Sequence, residues 1–575
     1  MNVSTVPPPE AGVSPLSRLT STICDPGIAL IDARPSGNLH TTGPWARTRP
    51  RYGKRGTFAA LCLVVTLAGC AGPQHDVPHP PSEAWPYPEE TALGRALGEP
   101  LAGHKGQSGF YLLDSGMEAL SIRAGLAENA QHTLDLQYYI VRVDATTQLL
   151  LYRVLRAARR GVRVRLLIDD LYAGGKDFDL ATFAAQPNIE VRVFNPFRHR
   201  GTLGLARLLE FFGDATRLNR RMHNKLWVAD NAVAIVGGRN LGDEYFDANG
   251  EVNFSDLDIL AAGPIVRDIS RSFDDYWNSE WAVPIQAFVT TPPDPERVAG
   301  FGRALEARLE RFRNTDYARA LREVRLGPRL LAEQLPLTPA PAIALYDKPT
   351  KISAESGAES PSRIFPSRIR PIVEAAKREV ILISPYFVPS EQGIGVLSAL
   401  ARRGVRVRIL TNSLASTDVP VVHAGYARLR ARLLAAGVEL YEARPDAPPD
   451  AIRRWRPGAS SGASLHAKAI AVDRKSVLVG SMNLDPRSRL SNTEVALLIE
   501  SAALGEQLGA LFEKATSPDQ AFHVELAEPG NANSPLVWLG RQDGQPVRYT
   551  REPLASWWRR VVSSLFGALA PEELL

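Results

Sequence analysis

Two segments of the chain repeat one spacing of groups able to do chemistry. From His223 the sequence reads HNKLWVADNAVAIVGGRN, and from His466 it reads HAKAIAVDRKSVLVGSMN. Both fit His-x-Lys-x4-Asp-x6-Gly-[Gly/Ser]-x-Asn, which sets His223, Lys225, Asp230 and Asn240 beside His466, Lys468, Asp473 and Asn483. A histidine and a lysine two residues apart on an extended segment project from one face, so each pair addresses one ligand. Imidazole, ammonium and carboxamide together suit an anion, and phosphate is the obvious one. One imidazole can attack phosphorus while the other protonates the departing alcohol. Two are needed because the roles are opposite at the same moment.

The elements that must hold these groups are readable around them. Asp230-Asn231 and Asp473-Arg474 are predicted turns into the apolar runs AVAIVGG and SVLVGS, which makes each motif a hairpin. The two motifs are offset by 243 residues (223 to 466), and the heptamer RRGVRVR recurs verbatim from Arg159 and from Arg402 at that same offset. The chain is therefore an internal duplication. Each heptamer follows a helical stretch, turns over at Gly161 or Gly404, and runs into an apolar strand. Further strands are predicted over 133–139 and 379–386, giving βαβ units around a buried sheet in both halves, an α/β class. The heptamer arginines are expected on a solvated helix end and strand face. Bringing the motifs face to face across a pseudo-twofold forms one site.

The paired pattern resembles the phospholipase D superfamily over both halves. The segments TLDLQYYI, NPF at Asn195 to Phe197, RLNRRMHNK from Arg217 and FSDLDILAAGP from Phe254 resemble more narrowly its bacterial cardiolipin synthase C branch. The resemblance implies two α/β/α lobes, each a mixed sheet flanked by helices, sharing a single active site at a pseudo-twofold interface. It implies ping-pong transfer through a phosphatidyl-histidine, with no metal and no other cofactor. His223 takes the nucleophile's role and His466 that of acid and base. Lys225, Lys468, Asn240 and Asn483, with Ser481, hold the phosphate. Asp258 and Glu494 follow their histidines after similar leads, SDLD and SNTE, and match the family positions that orient the imidazoles. Asp230 and Asp473 complete the signature but are read as serving the turns. Gly238 stands where the second half has Ser481, which removes one hydroxyl from the first half.

The implied activity is phosphatidyl transfer making cardiolipin, with phosphatidylglycerol as donor and phosphatidylglycerol or phosphatidylethanolamine as acceptor. Hydrolysis by the same residues is the first alternative and a nuclease a weaker one. A silent lipid-anchored protein is disfavoured by two intact His-Lys sets. Membrane phospholipids are the expected partners, and nucleic acid is not.

Composition bounds these readings. The chain has 575 residues, 45% hydrophobic and 22% charged, which fits a globular protein of several domains and excludes a disordered one. Three cysteines, Cys24, Cys62 and Cys70, exclude a disulfide scaffold and a four-thiolate zinc site. Residues 51–70 read RYGKRGTFAALCLVVTLAGC, a basic then apolar secretory signal whose ending resembles a bacterial lipobox. Cys70 is then the acylated first mature residue, in the cell envelope facing the periplasm; an uncleaved anchor helix is the competing reading. Seven basic and three acidic residues lie within 1–69, so +4 of the formal +5 leaves with that segment and bulk charge no longer argues for nucleic acid.

The expected organisation is 1–69 extension and signal, 70–106 proline-rich spacer, 107–290 first lobe, 291–343 helical linker, 344–527 second lobe, and 528–575 hairpin and amphipathic helix. Residues 201–212 read as core helix or lipid-entering surface, and 557–569 as an interfacial or a packed helix. His423 is left between a structural and a site-lining role.

Overall fold

Near-continuous apolar strands require cover on both faces, and each half of the chain builds one such mixed sheet. The computed structural model describes residues 77–198, 200, 210, 214–324, 327, 330–331, 335–353, 365–447 and 462–569. Cys70 with its signal-like segment, and 201–212 apart from residue 210, lie outside the described residues. The first half contributes β1 (Ser108–Leu113), β2 (Thr133–Tyr138), β3 (Arg163–Asp169), β4 (Ile189–Phe194), β5 (Leu226–Ala229), β6 (Val233–Gly237), β7 (Val252–Ser255), β8 (Asp258–Ala262) and β9 (Ala282–Pro284). After β10 (Thr338–Ala340) the second half adds β11 (Ala342–Tyr346), β12 (Glu379–Ile383), β13 (Arg406–Asn412), β14 (Glu439–Ala443), β15 (Gly462–Leu465), β16 (Ala469–Val472), β17 (Ser476–Gly480), β18 (Val495–Glu500) and β19 (Ala521–Leu526). A terminal hairpin, β20 (Leu536–Gln542) and β21 (Gln545–Tyr549), follows.

The first sheet runs β10-β1-β8-β6-β5-β2-β3-β4-β9 and the second β11-β18-β17-β16-β12-β13-β14-β19-β20-β21. Eight strands share one order, and in each sheet only the β2-β3-β4 or β12-β13-β14 run is parallel. The duplication is thus a duplication of topology. Helices Ile265–Trp277 and Ala502–Ala515 lie on the inner faces, and a single apolar cluster joins Phe273 and Val236 of the first lobe to Phe512 and Val479 of the second. Two outer clusters cover the far faces.

Two sequence expectations are corrected here. The last arginine of each heptamer is not solvated: Arg165 and Arg408 are buried. Arg165 forms a bidentate pair with Asp135 at 2.7 and 2.9 Å, and reaches Asp274 at 2.7 Å. Arg408 pairs with Glu379 and, at 2.8 Å, with Glu513. Each guanidinium also stacks 4.8 Å over a helix phenylalanine, Phe273 or Phe512. The duplicated arginine ties strand to inner helix in both lobes, as burial of a charge requires.

The proline-rich segment, expected as a spacer, is packed against lobe 1 over its described part. An extended chain leaves its carbonyls free, and the lobe-1 arginines take them. Arg165 donates to Ser82 O at 2.7 Å and Arg192 to Pro80 O at 3.0 Å, while Trp85 stacks on His132 at 3.9 Å.

The ends of the linker and of the chain belong to the sheets. β10 extends the first sheet and β11 the second, so the end of the 291–343 linker is strand, after the helices Pro295–Arg313 and Asp316–Glu323. The hairpin β20-β21 extends the second sheet through β19, with Asp543 and Gly544 both at positive φ in its turn. Helix Trp557–Leu569 rests on Pro420–Ala427 and leaves Trp557 72% and Trp558 62% exposed, so it is packed on one face and open on the other. Among the described residues no helix is long and apolar enough to cross a membrane.

Candidate active site

The motif histidines sit just before β5 and β16, the edges of hairpins β5-β6 and β16-β17. Each is fixed by backbone pairing to the other lobe. His223 N donates to Thr493 O at 2.9 Å, and Thr493 N to Arg221 O at 2.9 Å. His466 N donates to Ser255 O at 2.8 Å, at the end of a parallel ladder between β7 and β15. The residue following each acceptor carbonyl is a carboxylate, and it binds the visiting imidazole. His223 Nδ1 lies 2.9 Å from Glu494 Oε2, and His466 Nδ1 lies 2.6 Å from Asp256 Oδ2. The far nitrogen of each ring, Nε2, is thereby left for a ligand.

This geometry overturns the expected role of Asp258, and it draws the carboxylate that orients each histidine from the opposite lobe. Asp258 binds Arg123 at 2.8 Å and accepts the Arg239 backbone N–H at 3.2 Å. Strand register supplies the reason. Gly237 pairs with Asp258 and Gly480 with Ala496, so Glu494 corresponds to Asp256, two residues earlier than the SDLD–SNTE match suggested.

Register also explains Gly238. Ser481 Oγ donates to Glu494 Oε2 and accepts Val495 N–H at 3.0 Å, filling the space behind the longer acid. Asp256 is a methylene shorter and sits closer to its strand, so a Cβ at Gly238 would overlap Asp256 Oδ1. Glycine with aspartate and serine with glutamate are two solutions to one distance.

Other signature residues fall where their chemistry directs. Lys225 Nζ donates to His223 O at 2.6 Å, and Lys468 Nζ lies 3.0 Å from His466 Nδ1. Asn240 Nδ2 donates to Tyr245 OH at 2.9 Å and its Oδ1 accepts Ile140 N–H at 3.1 Å, whereas Asn483 Oδ1 is buried without a partner. Asp230 accepts the N–H groups of Gln131, His132 and Thr133, and Asp473 those of Lys377, Arg378 and Glu379. Both aspartates brace the starts of β2 and β12, at the end of the sheet away from the imidazoles, and neither touches them. His423 lies 3.6 Å from Glu552 beneath the terminal helix.

Several site residues carried no recognisable spacing. Tyr139 packs edge-on against His223 and Tyr245 against His466, at 5.0 and 5.3 Å between centroids. Behind Glu494 stand Ser488, whose Oγ donates to Oε1 at 2.7 Å, and Asp347, which accepts Glu494 N–H at 3.1 Å and holds Lys351 Nζ at 2.7 Å. Asp256 itself lay in the SDLD lead, where two aspartates competed.

Electrostatics separate the two imidazoles. Burial first, then the charges of Lys225, Lys468, His466 and Arg487, hold His223 well below the usual imidazole value of 6.5. His466 is lowered by burial and by Lys468, with Asp256 opposing. Burial also lowers both lysines, Lys225 the further, and raises Glu494. Burial opposes ionisation of Asp256 too, but His466, Lys468 and Arg239 outweigh it and hold that carboxyl below its ordinary range. Four buried basic groups around two carboxylates favour an anion, whose charge would in turn favour the cationic form of both lysines.

Comparison with known proteins accords with this geometry. Residues 125–277 and 369–516 match the family described as cardiolipin synthase, PLD-like domain. The chain is 40% identical over 476 residues to cardiolipin synthase C of Escherichia coli K12, covering 82% of this chain and 97% of that one. It is 30% identical over 536 residues to an uncharacterized protein of Helicobacter pylori J99, covering 90% and 99%. Among solved structures, phosphatidylserine synthase of Haemophilus influenzae Rd KW20 is similar in fold, with a TM-score of 0.51 and 14% identity over 84% of this chain and 100% of that one.

Two substitution pairs test the crossed geometry. Asp256→Asn is expected to lower kcat at least about 10²-fold with little change in stability. Asp258→Asn should instead cost about 3 kcal/mol in chemical unfolding, by stranding buried Arg123, while the folded fraction keeps its activity. The reverse pattern would restore Asp258 to the histidine. Gly238→Ser alone should disable the site, and Gly238→Ser with Asp256→Glu should recover activity; additive losses in the double variant would refute the coupling.

Proposed function

The chain belongs to the phospholipase D superfamily, in its cardiolipin synthase family, and on that premise we propose that it joins two phospholipids into cardiolipin through a phosphatidyl-His223 intermediate. Phosphatidylglycerol is the proposed donor. The observation that carries the reading is the pair of buried imidazoles with unlike surroundings, each turned by a carboxylate of the opposite lobe. His223, whose affinity for a proton is lowered first by burial and then by the basic groups around it, has its Nε2 lone pair free to attack. His466, against an ionised Asp256, is the better site for a proton.

In the first step His223 Nε2 forms a bond to phosphorus and the bond to the glycerol oxygen breaks. His466 Nε2 gives its proton to that oxygen, and free glycerol leaves. In the second, His466 takes the proton of a hydroxyl on the acceptor lipid. That oxygen bonds to phosphorus, the P–N bond breaks, and His223 returns. Lys225 and Lys468, whose cationic form the bound phosphate favours, offset the charge of the pentavalent state. A phosphatidylglycerol acceptor supplies that hydroxyl and makes cardiolipin; phosphatidylethanolamine has an amine and no hydroxyl on its headgroup, so in this reading it enters only as a second phosphatidyl donor, with ethanolamine as the departing alcohol.

We also place the protein at the bacterial envelope, acylated at Cys70 and facing the periplasm. Support comes from the signal-like sequence of 51–70 and from the open tryptophans of the terminal helix, which suit a lipid interface.

Purified protein given labelled phosphatidylglycerol, with and without phosphatidylethanolamine, should form cardiolipin. His223→Ala and His466→Ala should each lower the rate at least about 10³-fold. Phosphatidic acid as the main product would replace transfer by hydrolysis, and activity surviving both changes would sink the mechanism. Because protonation of His223 removes the nucleophile, kcat/KM should fall with pH along a limb centred below 6.5. Cys70→Ala should leave an unprocessed precursor, and unchanged processing and lipid labelling would overturn the anchor.

A further inference from the structure

The polar groups of the site account for the phosphate, but nothing in them holds hydrocarbon. Beside His223, within lobe 1, lies an apolar cavity of about 360 Å³. Leu166 and Ile168 of β3 and Phe183 of helix Asp177–Ala184 line its buried side, and Phe301 and Leu305 of linker helix Pro295–Arg313 line its outer wall. Tyr139 belongs to both the cavity and the site: its ring packs 5.0 Å from the His223 ring, with Lys225 Nζ 5.4 Å above it. The rim is open, with Val143 56% and Tyr172 47% exposed.

Most of the charged groups lining the cavity are engaged by the protein, and Arg308 is exposed to solvent. Asp169 accepts from Arg221 and from Met222 N–H. Lys176 Nζ donates to Val141 O and Tyr172 O, at 3.1 and 3.0 Å. Arg297 pairs with Asp179 at 2.9 Å. What remains for an occupant of the interior is mainly carbon surface, in a volume within the ordinary range for ligand pockets. A headgroup there would lose its hydrogen bonds to water without replacement, whereas a hydrocarbon chain loses nothing.

We propose that this cavity holds an acyl chain of the lipid whose phosphate is bonded to His223, an inference that rests on the phosphatidyl-transfer reading. The phosphatidyl group must stay on the enzyme while the first alcohol leaves and the acceptor enters. A chain lodged beside His223 keeps it there. The linker helix then has a role beyond joining the lobes, because it walls the slot.

Gly300 and Ala304 lie one turn apart on that wall. A Cβ at Gly300 would meet only Arg303 Nη2, at 3.8 Å, so Gly300→Phe and Ala304→Trp can fill the cavity from an open helix face. Each methylene kept out should weaken binding roughly fourfold. With dioleoyl-phosphatidylglycerol in mixed micelles, KM should therefore rise at least about tenfold in either variant. With dibutyroyl-phosphatidylglycerol, whose chains are too short to depend on the slot, kcat/KM should stay within about twofold. Equal losses on both lipids, or no loss on either, would overturn the proposal. A binding arm separates it from the reading beneath it: pyrene-acyl phosphatidylglycerol is titrated into the His466→Ala protein with and without Ala304→Trp. Binding abolished by the tryptophan supports the slot even if the wild type turns over neither lipid, a result that would remove the transfer reading alone. Binding that survives the tryptophan overturns the slot.

Discussion

Each motif histidine is paired through its backbone to the opposite lobe one residue ahead of the carboxylate that orients it. Thr493 with Glu494, and Ser255 with Asp256, are the two sides of that constraint. A side-chain hydrogen bond alone would leave the imidazole free to rotate with its loop. A backbone pair sets the loop first, and the carboxylate then has only the ring angle to decide. Neither lobe contains a complete site, so the shared core of helices Ile265–Trp277 and Ala502–Ala515 is what the chemistry rests on. Its apolar burial holds two half-sites in one register.

The duplication is close in topology and loose in detail, and the differences lie where the two halves must behave differently. Arg165 and Arg408 keep the same strand-to-helix tie, including the same distance over a phenylalanine. The acids behind the histidines do not match. Glu494 sits in a cage of Ser481, Ser488 and the Asp347–Lys351 pair, and burial raises it. Asp256 has a glycine behind it and stays ionised. A symmetric scaffold with unequal acids gives two imidazoles of unequal charge preference. Nucleophile and proton donor are one residue type, so only their surroundings can assign the roles.

The connecting segments do more than connect. The linker helix closes the far side of lobe 1, β10 and β11 finish the edges of the two sheets, and the last hairpin extends the second. The terminal helix is anchored by Arg559, which donates to Leu414 O and Thr417 O beside Asp418, a carboxylate whose charge reaches His466. Its open tryptophans are thereby tied to a loop next to the site rather than to a remote end of the molecule.

The duplication, the α/β class, the hairpin motifs and the identity of both His-Lys pairs were legible from spacing alone, because two-residue alternation and a verbatim heptamer are local facts of the chain. Asp230 and Asp473 were legible only in part: both stand in the hairpin turns at positive φ, but their carboxylates brace the start of a neighbouring strand nearly a hundred residues away, which spacing does not show. What spacing could not decide was which acid meets which histidine. Asp256 and Asp258 are two residues apart on one extended run, and both look equally able to reach a ring. Strand register places one at His466 and the other at Arg123, and register is set by pairing across the sheet and between lobes, which no stretch of sequence displays. Burial of Arg165 and Arg408, the close fit of Gly238 to Asp256 and the cavity beside His223 belong to the same class. Each depends on a partner distant along the chain, and only the tertiary structure brings that partner near.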